Sequence, residues 1–151
     1  MKTVLFICTG NYYRSRFAEH FFNHVAVEQG LGWRADSRGL QAVDGRNFGV
    51  LSAYAVAGMR AFKVPVPSKP RDPAQLTEAD LRAADLIIAL KEAEHRSMLA
   101  EEFPEWEDRV EYWHIDDLDC SLPEDALRCL RSEVLALVAR LREAEQGSDA
   151  A

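Results

Sequence analysis

Residues 8–15 read Cys-Thr-Gly-Asn-Tyr-Tyr-Arg-Ser, directly after the run Lys2-Thr-Val-Leu-Phe-Ile. A cysteine needed only for packing requires no such neighbours; a reactive one does. If Cys8 ends a strand and Ser15 opens a helix, the six residues between them make a short loop. The backbone N–H groups of that loop can turn inward together with the helix N-terminus. Such a concave array of donors binds anions, and a phosphate group fits it. Gly10 permits a positive φ or a close backbone approach, and Asn11 tolerates the left-handed conformation while hydrogen-bonding locally. Arg14 supplies a planar guanidinium able to grip two phosphate oxygens. Ser15 either caps the helix or donates to the Cys8 sulfur. The same field favours the thiolate of Cys8 over the thiol. The loop would then both make a nucleophile and hold a phosphate against it, the amides and Arg14 stabilising charge on the equatorial oxygens. This predicts covalent catalysis through a cysteinyl-phosphate. Cys8 and Arg14 are the expected catalytic groups, with Thr9, Gly10, Asn11, Tyr12, Tyr13 and Ser15 binding the phosphate. The competing reading is a core cysteine in an ordinary strand-to-helix turn.

Other candidate chemistry is sparse. Cys120 and Cys129 complete a set of three cysteines, which is neither a disulfide framework nor a zinc signature. Cys129 falls within a helical pattern and is expected to face the core. His20, His24, His95 and His114 show no metal-ligand spacing; His20 and His24 are an i,i+4 pair without a third ligand. No metal or organic cofactor is expected. Trp33, Trp106 and Trp113 read as core or boundary residues.

The elements that must position the loop follow from periodicity. "KTVLFIC" (2–8) is a continuous apolar run of strand length and reads as a buried parallel strand. Phe17, Phe21 and Val25, with Ala18 and Phe22, make one face of a helix that "QGLG" (29–32) ends. Strands are expected at 33–40, 85–90 and 109–115, and helices at 50–62, 91–103 and 123–144. A short helix should begin at Thr77, which stands at capping-box spacing from Asp80. Residues 63–73 hold four prolines and must be extended. Strand–helix alternation predicts an α/β fold: a single domain (1–145) with a four-stranded, mainly parallel sheet flanked by helices on both faces, and a flexible tail over 146–151. Ligands bind beyond the carboxyl ends of such strands, where Cys8 stands.

Bulk properties limit the partners. The 151 residues carry a net charge of -7, which argues against nucleic acid, although one site can be positive inside an acidic protein. No apolar stretch approaches the roughly 20 residues of a membrane span, and the apolar start has no small-residue cleavage site. No membrane partner is expected, and a cytoplasmic location is the default.

"CTGNYYRS" resembles the phosphate-binding loop C-x-G-N-x-C-R-S of the low-molecular-weight protein tyrosine phosphatases. The resemblance continues in "SRGL" (37–40), "LTEADLRAADLIIAL" (76–90) and "WHIDD" (113–117). It implies a small four-stranded parallel sheet, Cys8 as nucleophile, Arg14 as phosphate clamp, and Asn11 and Ser15 as residues that shape the loop. It also implies a general acid near Asp117, with Asp116 as the rival. Asp116, Asp117 and Asp119 crowd one turn, and mutual repulsion would keep a proton on one of them. The other reading is a solvated acidic turn. Four departures stand out: Tyr13 replaces the loop's second cysteine, Arg16 replaces a proline, Leu118 replaces the proline after the acid, and "LDCS" (118–121) replaces a tyrosine pair. Tyr12 and Tyr13 either stack on a substrate ring or pack against neighbouring loops. Asn47 or Phe48 falls near the family's substrate-wall aromatic, and Arg46 could attract an acidic substrate.

The activity implied is phosphomonoester hydrolysis, first of all by a protein-tyrosine phosphatase. Its partners would be a phosphorylated protein or a small phosphomonoester, with inorganic phosphate as product. The alternatives are an arsenate reductase of the same fold, using Cys120 and Cys129, or a phosphate-binding regulatory module with little turnover.

Overall fold

The computed structural model describes residues 1–44 and 49–150, with side chains through residue 147. Its centre is β1 (Lys2–Cys8), which pairs in parallel with β2 (Trp33–Gly39) on one side and β3 (Leu86–Ala89) on the other. A short β4 (Glu111–Tyr112) adds beyond β3, giving an all-parallel sheet in the order β2-β1-β3-β4. A parallel strand covered on both faces needs apolar side chains at every position. In β1 these alternate between two cores. Val4, Phe6 and Cys8 face a cluster built with α1 (Arg14–Glu28), α2 (Ala53–Ala61) and α5 (Pro123–Ala150). Leu5 and Ile7 face the other, with Leu81 of α3 (Glu78–Ala83), Leu99 of α4 (Glu92–Glu102) and Trp106. All three tryptophans are buried.

Element boundaries differ from the expected ones for local reasons. α2 begins at Ala53, after residue 50, because Ser52 is its N-cap, accepting from Tyr54 N at 3.1 Å. The capping box at Thr77 and Asp80 forms in full. Residues 104–109 are a 3-10 helix with Pro104 in its first turn, so β4 is shorter than 109–115. The chain nevertheless stays hydrogen-bonded to the end of β3, through Trp113 N to Ala89 O at 2.9 Å and Ile115 N to Leu90 O at 2.7 Å. α5 continues to Ala150, past the expected end at 144 and through the segment expected as a flexible tail. Cys129 on α5 is exposed, not core, because the buried side of the helix is taken by Leu127, Leu130 and Val134.

The strand order decides where function sits. From β1 the chain passes through α1 to β2 on one side, while β3 lies on the other. The carboxyl end of β1 is thus the switch point at which α/β sheets open a crevice. The phosphate loop and the segments that carry Glu94 and Asp117 follow the carboxyl ends of β1, β3 and β4.

Candidate active site

Residues 8–13 leave β1 with each main-chain carbonyl held from outside the cleft. Cys8 O accepts from Leu40 N at 3.0 Å, Thr9 O from Gln41 N at 2.8 Å, and Gly10 O from Val43 N at 3.1 Å. Asn11 O accepts from Arg16 Nη1 at 3.3 Å, Tyr12 O from Ser52 N at 3.0 Å, and Tyr13 O from Phe17 N at 3.0 Å. In a trans peptide the C=O and the following N–H point opposite ways, so turning these carbonyls out turns the amides of residues 9–14 in. α1 begins at Arg14 with Tyr13 as N-cap and no side-chain cap, which leaves its first-turn amides for the same cleft. This is the backbone arrangement that an anion cradle requires. It needs close packing below: a Cβ on Gly39 would lie 2.7 Å from Thr9 O and 2.9 Å from Asn11 N. Gly10 serves by close approach, since a Cβ there would meet Val43 Cγ1 at 3.0 Å; the positive φ of the loop, 51°, belongs to Asn11.

The Asn11 side chain uses its whole hydrogen-bonding capacity. Nδ2 donates to Ser15 Oγ and Ser37 Oγ, both at 2.9 Å. Oδ1 accepts from Arg71 Nη1 at 3.0 Å and Ala74 N at 2.9 Å. Ser15 lies inside α1, not at its cap, with Oγ 2.9 Å from Cys8 Sγ. Ser15 Oγ thus accepts from both Asn11 Nδ2 and Cys8 Sγ.

Arg14 is buried and held by groups the sequence reading did not single out. Its Nη2 and Nη1 donate to Glu94 Oε1 and Oε2 at 2.9 and 3.2 Å, and Nη1 also to Ile115 O at 3.0 Å. Burial alone would lower the Arg14 pKa, but the Cys8 charge, Glu94 and Asp117 outweigh it and raise the value. Glu94 stands in α4, just beyond β3, next to the fully buried His95. Lys91 N donates to His95 Nδ1 at 3.0 Å, so the ring proton sits on Nε2, 3.1 Å from Thr9 Oγ1 and 3.3 Å from Glu94 Oε1. Burial keeps His95 neutral by lowering its pKa, more than its bond to Glu94 raises it. Bonds from His95, Arg14 and Thr9 hold the Glu94 carboxyl far below the usual carboxylate range, against the effect of burial. Thr9 thereby has a second task beyond the cradle: its hydroxyl donates to Glu94.

The cleft over the loop has a volume of about 530 Å³. Tyr12, Tyr13, Val43, Tyr54 and Leu118 line it together with Cys8, Arg14 and Asp117. Asp117 Oδ2 lies 3.4 Å from Arg14 Nη2. Asp116 turns away to pair with Lys91 Nζ at 3.0 Å, so the acidic crowding expected at 116–119 is relieved by a cation. Tyr13 is buried against Tyr54, ring centroids 6.4 Å apart. Its pKa is pushed up to about 12, by burial first and then by Asp117. Asn47, Phe48 and Arg46 lie outside the described residues. Among the described residues no cluster of His, Cys, Asp and Glu has the arrangement to hold a metal ion.

A parallel α/β domain with a cysteine and an arginine in an anion-binding loop at its switch point belongs to the class of cysteine-dependent phosphatase folds. More narrowly, the chain belongs to the family described as low molecular weight phosphotyrosine protein phosphatase, whose model matches residues 3–125. It is 30% identical over 109 residues to the protein-arginine-phosphatase of Bacillus subtilis, covering 71% of this chain and 67% of that one. It is 31% identical over 100 residues to the human low molecular weight phosphotyrosine protein phosphatase, covering 64% of this chain and 60% of the human one. The crystal structure of a low molecular weight protein tyrosine phosphatase from T. tengcongensis superposes with a TM-score of 0.76 at 27% identity, covering 95% of this chain and 99% of that one.

Proposed function

We propose that this protein removes phosphate from phosphotyrosine in proteins by way of a cysteinyl-phosphate on Cys8. The observation that carries the reading is the set of six outward-held carbonyls, which aims the loop amides at the spot faced by Cys8 and Arg14. Cys8 attacks phosphorus in line with the leaving oxygen, while the amides and Arg14 take up charge on the three equatorial oxygens. Asp117 protonates the departing phenol oxygen, and then removes a proton from the water that attacks the cysteinyl-phosphate. Inorganic phosphate and free Cys8 result. Ser15 donates to the sulfur when it is the leaving group. The aromatic and aliphatic walls of the cleft suit a phenyl ring.

A second reading is supported by the 30% identity to a protein-arginine-phosphatase. Asp117, a carboxylate lining the cleft, would pair with the guanidinium of phosphoarginine. The test is hydrolysis of p-nitrophenyl phosphate, a phosphotyrosine peptide and a phosphoarginine peptide by wild type, Cys8→Ser and Asp117→Asn. Turnover of the tyrosine peptide that is lost in Cys8→Ser supports the first reading, and preference for the arginine peptide supports the second. A wild type inert on all three defeats both. Among the described residues no helix is long and apolar enough to cross a membrane.

A further inference from the structure

Behind the phosphate loop lies a second guanidinium that phosphoryl transfer as described above leaves unused. Arg16 is completely buried, yet its partners among the described residues are main-chain carbonyls. Nη1 donates to Asn11 O at 3.3 Å and Val50 O at 2.9 Å, Nη2 donates to Arg71 O at 2.8 Å, and Nε has no partner among the described residues. The three carbonyls belong to three separate segments: the phosphate loop, the stretch leading into α2, and the proline-rich loop. Arg71 answers from the other side. Its Nη1 donates to Asn11 Oδ1 at 3.0 Å, and its Nη2 bonds Glu19 Oε1 at 2.9 Å and Ser37 Oγ at 3.0 Å. Asn11 is thus gripped twice, on its main-chain oxygen by Arg16 and on its side-chain oxygen by Arg71. It is also the non-glycine residue of the loop that stands at positive φ, a conformation that persists only where surrounding contacts enforce it.

We propose that Arg16 is a positioning residue for phosphoryl transfer: it holds the Asn11 carbonyl out of the cleft so that the Tyr12 amide faces the phosphate, and with Arg71 it fixes the Asn11 amide that aims Ser15 at Cys8. This rests on the phosphatase reading given above. A proline, which the family resemblance implies at this position, can make none of these contacts. A lysine carries the charge but cannot span three carbonyls. The charge itself also counts. Burial, then the like charge of Arg71, pushes the Arg16 pKa down to about 10, with Glu19, Cys8 and Asp72 acting in the opposite sense. Arg16 is therefore cationic at neutral pH and adds a positive charge behind Cys8.

The experiment compares wild type with Arg16→Lys, Arg16→Met and Arg71→Ala. It reads kcat and KM on p-nitrophenyl phosphate, inhibition by inorganic phosphate, and Cys8 alkylation by iodoacetamide at about pH 6 relative to about pH 9, followed by peptide mass spectrometry. Arg16→Met should lower kcat at least about tenfold, weaken phosphate inhibition several-fold, and cut the low-to-high pH alkylation ratio. A merely structural role would not move that ratio. Arg16→Lys should recover the ratio but not kcat, and Arg71→Ala should lower kcat while the protein stays folded. A folded Arg16→Met with wild-type kcat, phosphate inhibition and alkylation ratio overturns the inference. If Arg16→Met does not fold, a kcat within twofold of wild type in both other variants overturns it. A wild type that hydrolyses no ester sinks the phosphatase reading instead, and the alkylation ratio then still decides for or against Arg16.

Discussion

Asn11 Nδ2 donates to Ser15 Oγ at 2.9 Å, and the same oxygen accepts from Cys8 Sγ, also at 2.9 Å. The serine hydroxyl can turn its own hydrogen to the sulfur once the Cys8 proton has left. A hydroxyl bond to the sulfur in its charged state would contribute about 1.5–3 kcal/mol. Asn11 can direct it because its own amide is locked by Ser37, Arg71 and Ala74. The relay starts in the neighbouring strand β2 and in the loop before α3, and ends on Cys8.

Cys8 should therefore label faster than Cys120 or Cys129 with iodoacetate near neutral pH, even though it is buried and the other two are exposed. Inorganic phosphate should slow labelling of Cys8 alone. Ser15→Ala should slow it about tenfold or more, as expected for losing a charged hydrogen bond of ~1.5 kcal/mol. Peptide mapping over time measures all three rates. Labelling in the order of exposure would remove the case for an activated thiol.

The loop itself was legible in the sequence because its parts are contiguous: strand end, Gly10-Asn11, Arg14 and Ser15 fall within eight residues. The alternation of apolar runs likewise exposed the parallel sheet, and the Thr77 box marked the start of α3. What supports the loop was not legible. Glu94 reaches Arg14 across 80 positions and Arg71 reaches Asn11 across 60. Only the strand order brings them together, and a glutamate in the "KEAEH" start of α4 looks like any solvated helix charge. The usable signal was position: Glu94 and His95 follow the carboxyl end of β3, next to the switch point. β4 was overread because "RVEYWHI" is rich in β-branched and aromatic residues throughout, while the chain before it is a 3-10 helix opened by Pro104.

Asp117→Asn should lower kcat on phosphotyrosine by about 10²-fold, the usual contribution of a general acid. The loss should be smaller on p-nitrophenyl phosphate, whose leaving group needs less help from a proton. Asp116→Asn breaks the pair with Lys91 and should cost far less. Steady-state kinetics on both substrates distinguishes the two aspartates, and equal losses would deny Asp117 the role of acid.

Glu94→Gln tests the clamp on Arg14. The folded-state pKa of Glu94 is depressed, so its ionised form adds stability that is fully present above the unfolded value of about 4.3 and is lost as pH falls below it. Wild type should melt higher than Glu94→Gln at pH 7, and the gap should narrow steadily from about pH 5 towards pH 3. The variant should also bind phosphate less well, because Arg14 loses the charge and one of the two carboxylate oxygens that orient it. A melting gap that does not change with pH would show that the ionised carboxylate is not what stabilises the site.

Tyr13 carries the last prediction, and two substitutions separate its ring from its hydroxyl. The hydroxyl is buried and has no partner among the described residues, a state that costs about 1–3 kcal/mol. Tyr13→Phe should therefore keep or raise the melting temperature, since the ring contact with Tyr54 remains. A fall of several degrees would mean that the hydroxyl is satisfied after all. Tyr13→Cys puts a thiol where the family resemblance has one. Wild-type Cys8, with no neighbouring thiol in the loop, should pass from sulfenic to sulfinic acid under hydrogen peroxide and stay inactive. In Tyr13→Cys the sulfenic acid can instead be captured as a disulfide, so dithiothreitol should restore activity. Recovery of wild type to the same extent would show that Cys8 is protected by some other route.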